Sequence, residues 1–111
     1  MSSAYIIKSA VNNQFYFNLT ADNNEIILTS ETYKDRDSAV DGIQSVRTNS
    51  QIDARYIKKT AVDGKSFFIL VAANKEPIGK SETYSSTAAM ENGIASVKRN
   101  GPIAPIKDQA K

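Results

Sequence analysis

The sequence predicts an α+β protein, one mainly antiparallel sheet with two helices packed on it. Three observations carry that prediction. The chain repeats itself at an offset of 51 residues, each copy alternates apolar and polar positions over short runs, and each copy then shifts to apolar spacing of three and four. Aligned from Tyr5/Tyr56 to Ile52/Ile103, 21 of the 48 positions are identical and no gap is needed. The identities include Phe17/Phe68, Leu19/Leu70, Ile27/Ile78, Gly42/Gly93, Ile43/Ile94 and Val46/Val97. They also include a Ser-Glu-Thr-Tyr stretch at residues 30–33 and again at 81–84.

Each element follows in order. A first strand begins near Tyr5 or Tyr56, and a turn "VNNQ" or "VDGK" comes next. The Asp-Gly pair supplies the positive φ that a hairpin needs. The second strand is "FYFNLTA" or "FFILVAA", with Phe15, Phe17 and Leu19 on one face and Phe68 and Leu70 matching two of them. After a second turn, the third strand is "IILTSETY" or "IGKSETY". Pro77 near its start suits a strand beginning or an edge, because proline lacks the donor a ladder needs. A helix follows in each copy. Asp35 or Ser86 is placed to cap it, and Ala39, Ile43 and Val46, matched by Met90, Ile94 and Val97, form its apolar stripe. Each helix ends near Asn49 or Asn100, with Gly101 as the residue past the cap. Gly42 and Gly93 sit inside the helices at a cost of roughly 1 kcal/mol against alanine. Their retention in both copies places the helix backbone close to the sheet or to the other helix.

A half of about 50 residues is marginal as a lone core, and three strands with one helix leave open edges. Two copies in one sheet close one edge and share a core. The expectation is a single pseudo-twofold domain over residues 1–111, with repeats at about 4–54 and 55–108 and a tail at 109–111.

Composition narrows function. The chain has 111 residues and a net charge of +2, with neither cysteine nor histidine. Thiolate nucleophiles, Cys-based metal sites and Ser-His or Cys-His arrangements are therefore excluded. No cofactor, metal site or catalytic residue is read from the sequence. Its start lacks the pattern of a signal peptide. The longest apolar run, residues 67–73, is too short to span a bilayer, which needs about 20 residues in a helix. A cytoplasmic, non-membrane protein is the expectation.

"FYFNLTADNNEIILTSETY", "DGIQSVRTNS", "SETYSSTAAMENGIASVKRNG" and the closing "IKD" resemble the YegP-like proteins of bacteria over nearly the whole chain, from Tyr5 to Asp108. The resemblance implies repeated β-β-β-α-β units in one sheet, with the last strand of each unit exchanged to the other. It alone supplies a fourth strand per unit, around residues 52–55 and 105–108. It carries over no activity and no functional residues.

Several residues have both a functional and a structural reading. Glu31, Tyr33, Glu82 and Tyr84 form either a polar patch displayed twice or a strand-to-helix junction that both halves need. Lys8, Arg47, Lys58, Lys59, Lys98 and Arg99 either line a basic surface or are scattered, solvated charges. Opposite the core face, the second strands carry Tyr16, Asn18 and Thr20 in the first copy and Phe67, Ile69 and Val71 in the second. The apolar row is either a partner or self-association surface or the second buried face of a central strand. The leading functional expectation is a non-enzymatic binding or interaction module with a protein partner or self-association. Nucleic-acid binding through Tyr16 and Phe67 beside lysines is the alternative, and an enzyme without histidine or cysteine comes third.

Overall fold

The computed structural model describes residues 3–110. Seven strands and two helices follow in chain order: β1 (Ala4–Ser9), β2 (Phe15–Thr20), β3 (Ile26–Ser30), α1 (Arg36–Asn49), β4 (Tyr56–Thr60), β5 (Ser66–Val71), β6 (Pro77–Lys80), α2 (Thr87–Asn100) and β7 (Ile106–Asp108). They build one mixed sheet in the order β4-β5-β6-β3-β2-β1-β7. Every neighbouring pair is antiparallel except β7, which runs parallel to β1 with Tyr5 opposite Ile106.

Register repeats along with sequence. Tyr5 faces Leu19 and Ile7 faces Phe17; 51 residues later Tyr56 faces Leu70 and Lys58 faces Phe68. Both third strands carry an irregularity at one place, between Leu19 and Thr20 and between Leu70 and Val71 on their partners. The extra residues there are Ile27 and Ile78, and both join the core. A bulge lets neighbouring residues turn to one side, which strict alternation forbids.

Both helices cover the same sheet face. A Cβ on Gly42 of α1 would press against the Phe17 ring and one on Gly93 of α2 against Tyr84, while Arg47 lies over Tyr5 and Lys98 over Tyr56. Between the layers one core runs through both halves: Tyr5, Phe17, Leu19, Leu28, Ile43 and Val46 together with Phe68, Leu70, Ile94 and Val97. The helices start where the sequence places them. Asp35 accepts the Ser38 amide at 2.7 Å, and the Ser86 hydroxyl accepts that of Ala89 at 3.0 Å, each satisfying a donor the helix cannot. Pro77 opens β6, at the strand beginning.

Two local expectations are corrected. Residues 52–55 do not form a strand: Asp53–Arg55 is a 3-10 turn. Only a handful of residues separate α1 from β4, too few to lay down a strand and reverse. Gly101 is itself the capping residue of α2 rather than the residue past the cap, and with φ −55° it stays in the right-handed helical region. Glycine is favoured there because a Cβ would meet the Val97 carbonyl and the Ser50 hydroxyl, each at 2.8 Å. The helices do end where the sequence places them, at Asn49 and Asn100, whose side-chain amides donate back to the carbonyls of Ser45 and Ser96.

Candidate binding face

The doubled Ser-Glu-Thr-Tyr stretch resolves into one repeated junction. As β3 ends, the Ser30 hydroxyl accepts the Phe17 amide at 2.8 Å and donates to the Glu31 carbonyl at 2.7 Å. Ser81 does the same with the Phe68 amide, at 3.0 Å, and the Glu82 carbonyl, at 2.8 Å. The hydroxyl stands in for a backbone acceptor where the ladder is interrupted, since a buried amide left unpaired is costly. Pairing resumes at Phe15–Tyr33 and Ser66–Tyr84. Tyr33 stacks on Phe17 at a centroid distance of 6.2 Å. Its hydroxyl oxygen lies only 2.3 Å from where a Gly42 Cβ would stand, and Tyr84 repeats that approach to Gly93. The helix glycines therefore make room for the tyrosine of their own half.

Burial, reinforced by Glu31, raises the Tyr33 phenol above its ordinary value. Burial raises Tyr84 likewise, with Glu25 and Glu82 adding to the shift. Both stay protonated at neutral pH, so neither is a ready base. Glu31 and Glu82 are exposed. They lie two residues beyond Thr29 and Lys80, which face each other on antiparallel strands. That sets their backbones about 14 Å apart along the strand direction. The junction does not bring these carboxylates together as a pair.

The sheet face away from the helices is a different surface. It carries Ile6 and Lys8 from β1, Tyr16, Asn18 and Thr20 from β2, Thr29 from β3, Lys80 from β6, Phe67, Ile69 and Val71 from β5, Ile57 and Lys59 from β4, and Lys107 from β7. Tyr16, Phe67 and Ile69 are half-buried, whereas Val71 is only 7% exposed. The same positions in the first half are polar and satisfied: the Asn18 amide donates to the Thr29 hydroxyl at 2.9 Å, and the Thr20 hydroxyl to the Ala4 carbonyl at 3.3 Å. Among the described residues, no aspartate or glutamate occupies a strand position on this face; the strand carboxylate Asp108 turns to the helix side and pairs with Arg36 at 2.6 Å.

Lysines flank both aromatic residues. Lys8 sits directly opposite Tyr16 and Lys59 directly opposite Phe67, and the Lys80 ammonium lies 6.0 Å from the Phe67 ring centre. A depression of about 350 Å³ opens beside that ring, lined by Thr60, Val62, Phe67, Lys80 and Thr83 among others.

Of the basic residues singled out in the sequence, Lys8 and Lys59 reach this face. Arg47 instead donates to the carbonyls of Pro102 and Ala104, at 3.1 and 2.9 Å. Lys58 pairs with Glu91 at 2.6 Å, and Lys98 pairs with Asp53. Arg99 lines a groove of about 420 Å³ between α2 and the β2–β3 turn, together with Asp22, Tyr84 and Asn92. Lys80 and Lys107 were missed by sequence reasoning. Assigning Lys80 needs the bulge in β6, which shifts the alternation by one, and assigning Lys107 needs the pairing of β7 with β1. Among the described residues, no cluster of three or more aspartates, glutamates, cysteines or histidines is placed to hold a metal ion.

The fold and this face define a two-layer α+β protein, a mixed seven-stranded sheet with helices on one side only. The chain belongs to the family described as Domain of unknown function (DUF1508), which it matches twice, at residues 10–56 and 61–108. It is 53% identical to a UPF0339 protein of Bordetella pertussis, over 98% of each chain. To UPF0339 protein YegP of Escherichia coli it is 48% identical, over 97% of this chain and 98% of the relative. Two solution NMR structures superpose on it with a TM-score of 0.92. The UPF0339 protein of Shewanella oneidensis is 51% identical, covering 99% of this chain and 93% of its own. The E. coli yegP structure, described as a protein of unknown function, is 47% identical, covering 99% and 95%. These relatives confirm the resemblance read from the sequence and name no activity. Among the described residues, no helix is long and apolar enough to cross a membrane.

Proposed function

We propose that this protein is a non-catalytic binding module whose working surface is the uncovered face of its sheet. The observation that carries this reading is the composition of that face: half-buried Tyr16, Phe67 and Ile69 lie among lysines, with no strand carboxylate to neutralise them. Isolated exposed apolar residues are ordinary on protein surfaces, but aromatic residues grouped with uncompensated charge of one sign favour a partner. Glu31, Tyr33, Glu82 and Tyr84 fall outside the proposed surface, because the serines beside them and the tyrosine rings serve the strand-to-helix junction.

An architecture goes with this reading. We infer that the chain is two copies of a β-β-β-α unit, at about 4–54 and 55–108, related by a pseudo-twofold axis between β3 and β6, with a fourth strand, β7, only in the second copy. The second copy's last strand is donated to the first. The 51-residue offset and the seating of β7 on β1 support it. Such an axis displays Tyr16 and Phe67 on one face.

Hydrogen exchange on the protein returned to an extract of its own host tests the proposal. Residues 66–71 should gain protection relative to buffer. The double variant Phe67→Glu, Ile69→Glu should lose that gain while its amide NMR spectrum still reports the native fold. Protection confined to α1 and α2, or none on the sheet, would overturn the reading.

A further inference from the structure

We propose that the partner of this face is a single strand of nucleic acid, stacked on Tyr16 and Phe67 and neutralised by Lys8, Lys59 and Lys80. This rests on the binding-module reading above and gives its surface a ligand. The register fixes the geometry. Asn18, Thr29, Lys80 and Ile69 form a straight row across the four central strands, each opposite the next. Tyr16 lies two residues before Asn18, and Phe67 two residues before Ile69. Because β2 and β5 run in opposite directions, the two rings fall on opposite sides of the row. Three strand spacings separate them across the sheet, about 14 Å, and four residues along it, again about 14 Å. The diagonal is about 20 Å, with Lys80 on the row between the rings and one further lysine directly beside each ring.

A ligand matching this diagonal must alternate flat rings with negative charges. A single strand does so, because each nucleotide offers one base face and one phosphate, and bases stack on aromatic side chains without regard to sequence. A duplex keeps its bases stacked on each other and out of reach of a sheet. An acidic peptide would neutralise the lysines but leave both rings without a matching group. The depression of about 350 Å³ beside Phe67 gives a base somewhere to enter.

Fluorescence anisotropy with labelled octamers of oligo(U) and oligo(dT) tests this. Binding should appear at 50 mM salt and weaken about 20-fold by 200 mM, the response of three neutralised phosphates on a single strand. Tyr16→Ala and Phe67→Ala should each weaken binding about tenfold, and Lys59→Ala several-fold. Arg99→Ala removes the same charge from the helix side and should change nothing. Absence of binding at 50 mM salt overturns the proposal. So does equal weakening by Lys59→Ala and Arg99→Ala, which marks a diffuse attraction with no site. The two readings fail separately: if the octamers do not bind while protection of residues 66–71 in extract survives nuclease treatment, the partner is a protein. Only the nucleic-acid assignment then falls.

Discussion

At the residue scale, side chains and missing side chains are matched within each half. The Ser81 hydroxyl serves a buried amide, so Ser81→Ala leaves the Phe68 N–H without its acceptor. The cost should be about 1–3 kcal/mol, read as a lower midpoint in urea at unchanged slope. A variant as stable as the parent would mean that the amide finds another acceptor. Gly93→Ala opposes two effects. Alanine is the better helix former by roughly 1 kcal/mol, but its Cβ would stand 2.3 Å from the Tyr84 hydroxyl oxygen and 2.7 Å from the ring carbon bearing it. Overpacking of that kind costs about 1–3 kcal/mol, so the variant should be destabilised on balance. Tyr84→Phe removes the nearest atom and should recover part of the loss. A Gly93→Ala protein that melts higher than the parent would show that Tyr84 moves aside freely.

At the element scale the two helices differ in what caps them. Asp35 at the start of α1 titrates and Ser86 at the start of α2 does not. The backbone hydrogen bond from Ser38, followed by that residue's side-chain hydrogen bond, holds the Asp35 carboxyl below its ordinary value. A folded-state value below the unfolded one gives stability that is fully present above the unfolded value near 3.8. It is lost as pH falls through the folded value. Hydrogen exchange in acid should therefore show the first turn of α1 losing protection before the first turn of α2. Asp35→Asn keeps a capping oxygen without the titration and should erase that difference; its persistence would assign the acid sensitivity elsewhere.

β7 depends on a different device. Arg47 grips two carbonyls of the segment leading into it, while the position 51 residues on holds Lys98, which pairs with Asp53 instead. Lysine cannot reproduce the two-pronged donor. Arg47→Lys should speed exchange of the Tyr5 and Gln109 amides, which bond to Pro105 and Ile7 across the β1–β7 seam. Unchanged exchange there would leave Arg47 no part in holding the strand.

The same residues show how far sequence carries. The strands and helices were legible because alternation, helical spacing and cap residues are local signals, and two copies of each made them firmer. The strand order and the position of β7 were not, since strand partners are chosen across the chain; β7 entered through family resemblance. The turn at residues 53–55 was misread because a resemblance between units says nothing of how few residues join α1 to β4. The aromatic half of the proposed binding face was legible from Tyr16 and Phe67. Its central charge, Lys80, was hidden by a bulge that shifts the alternation in β6.

At the scale of the whole molecule, the two halves share their core. α1, from the first half, packs against β5 and β6 of the second, and α2 packs against β3 of the first. The Tyr5 hydroxyl donates to the carbonyl of Gly101 at 2.6 Å, at the far end of α2, and the Tyr56 hydroxyl to that of Ser50 at 2.8 Å, at the end of α1. Each helix is thus anchored to the strand that begins the other half. Neither half can open without exposing apolar residues of its partner, and each alone is near the size at which a single core fails. Unfolding in urea should therefore be one transition, with coincident far-ultraviolet circular dichroism and tyrosine fluorescence midpoints. Slowest-exchanging amides should occur in β2 and β5 alike, with matching opening free energies. Separate transitions, or residues 4–50 exchanging as a block while 56–100 remain protected, would show two folding units that merely touch. Val46 and Val97, fully buried on the two helices, would then differ in the effect of truncation to alanine. A shared core instead predicts that either truncation lowers the protection of both halves by a similar amount.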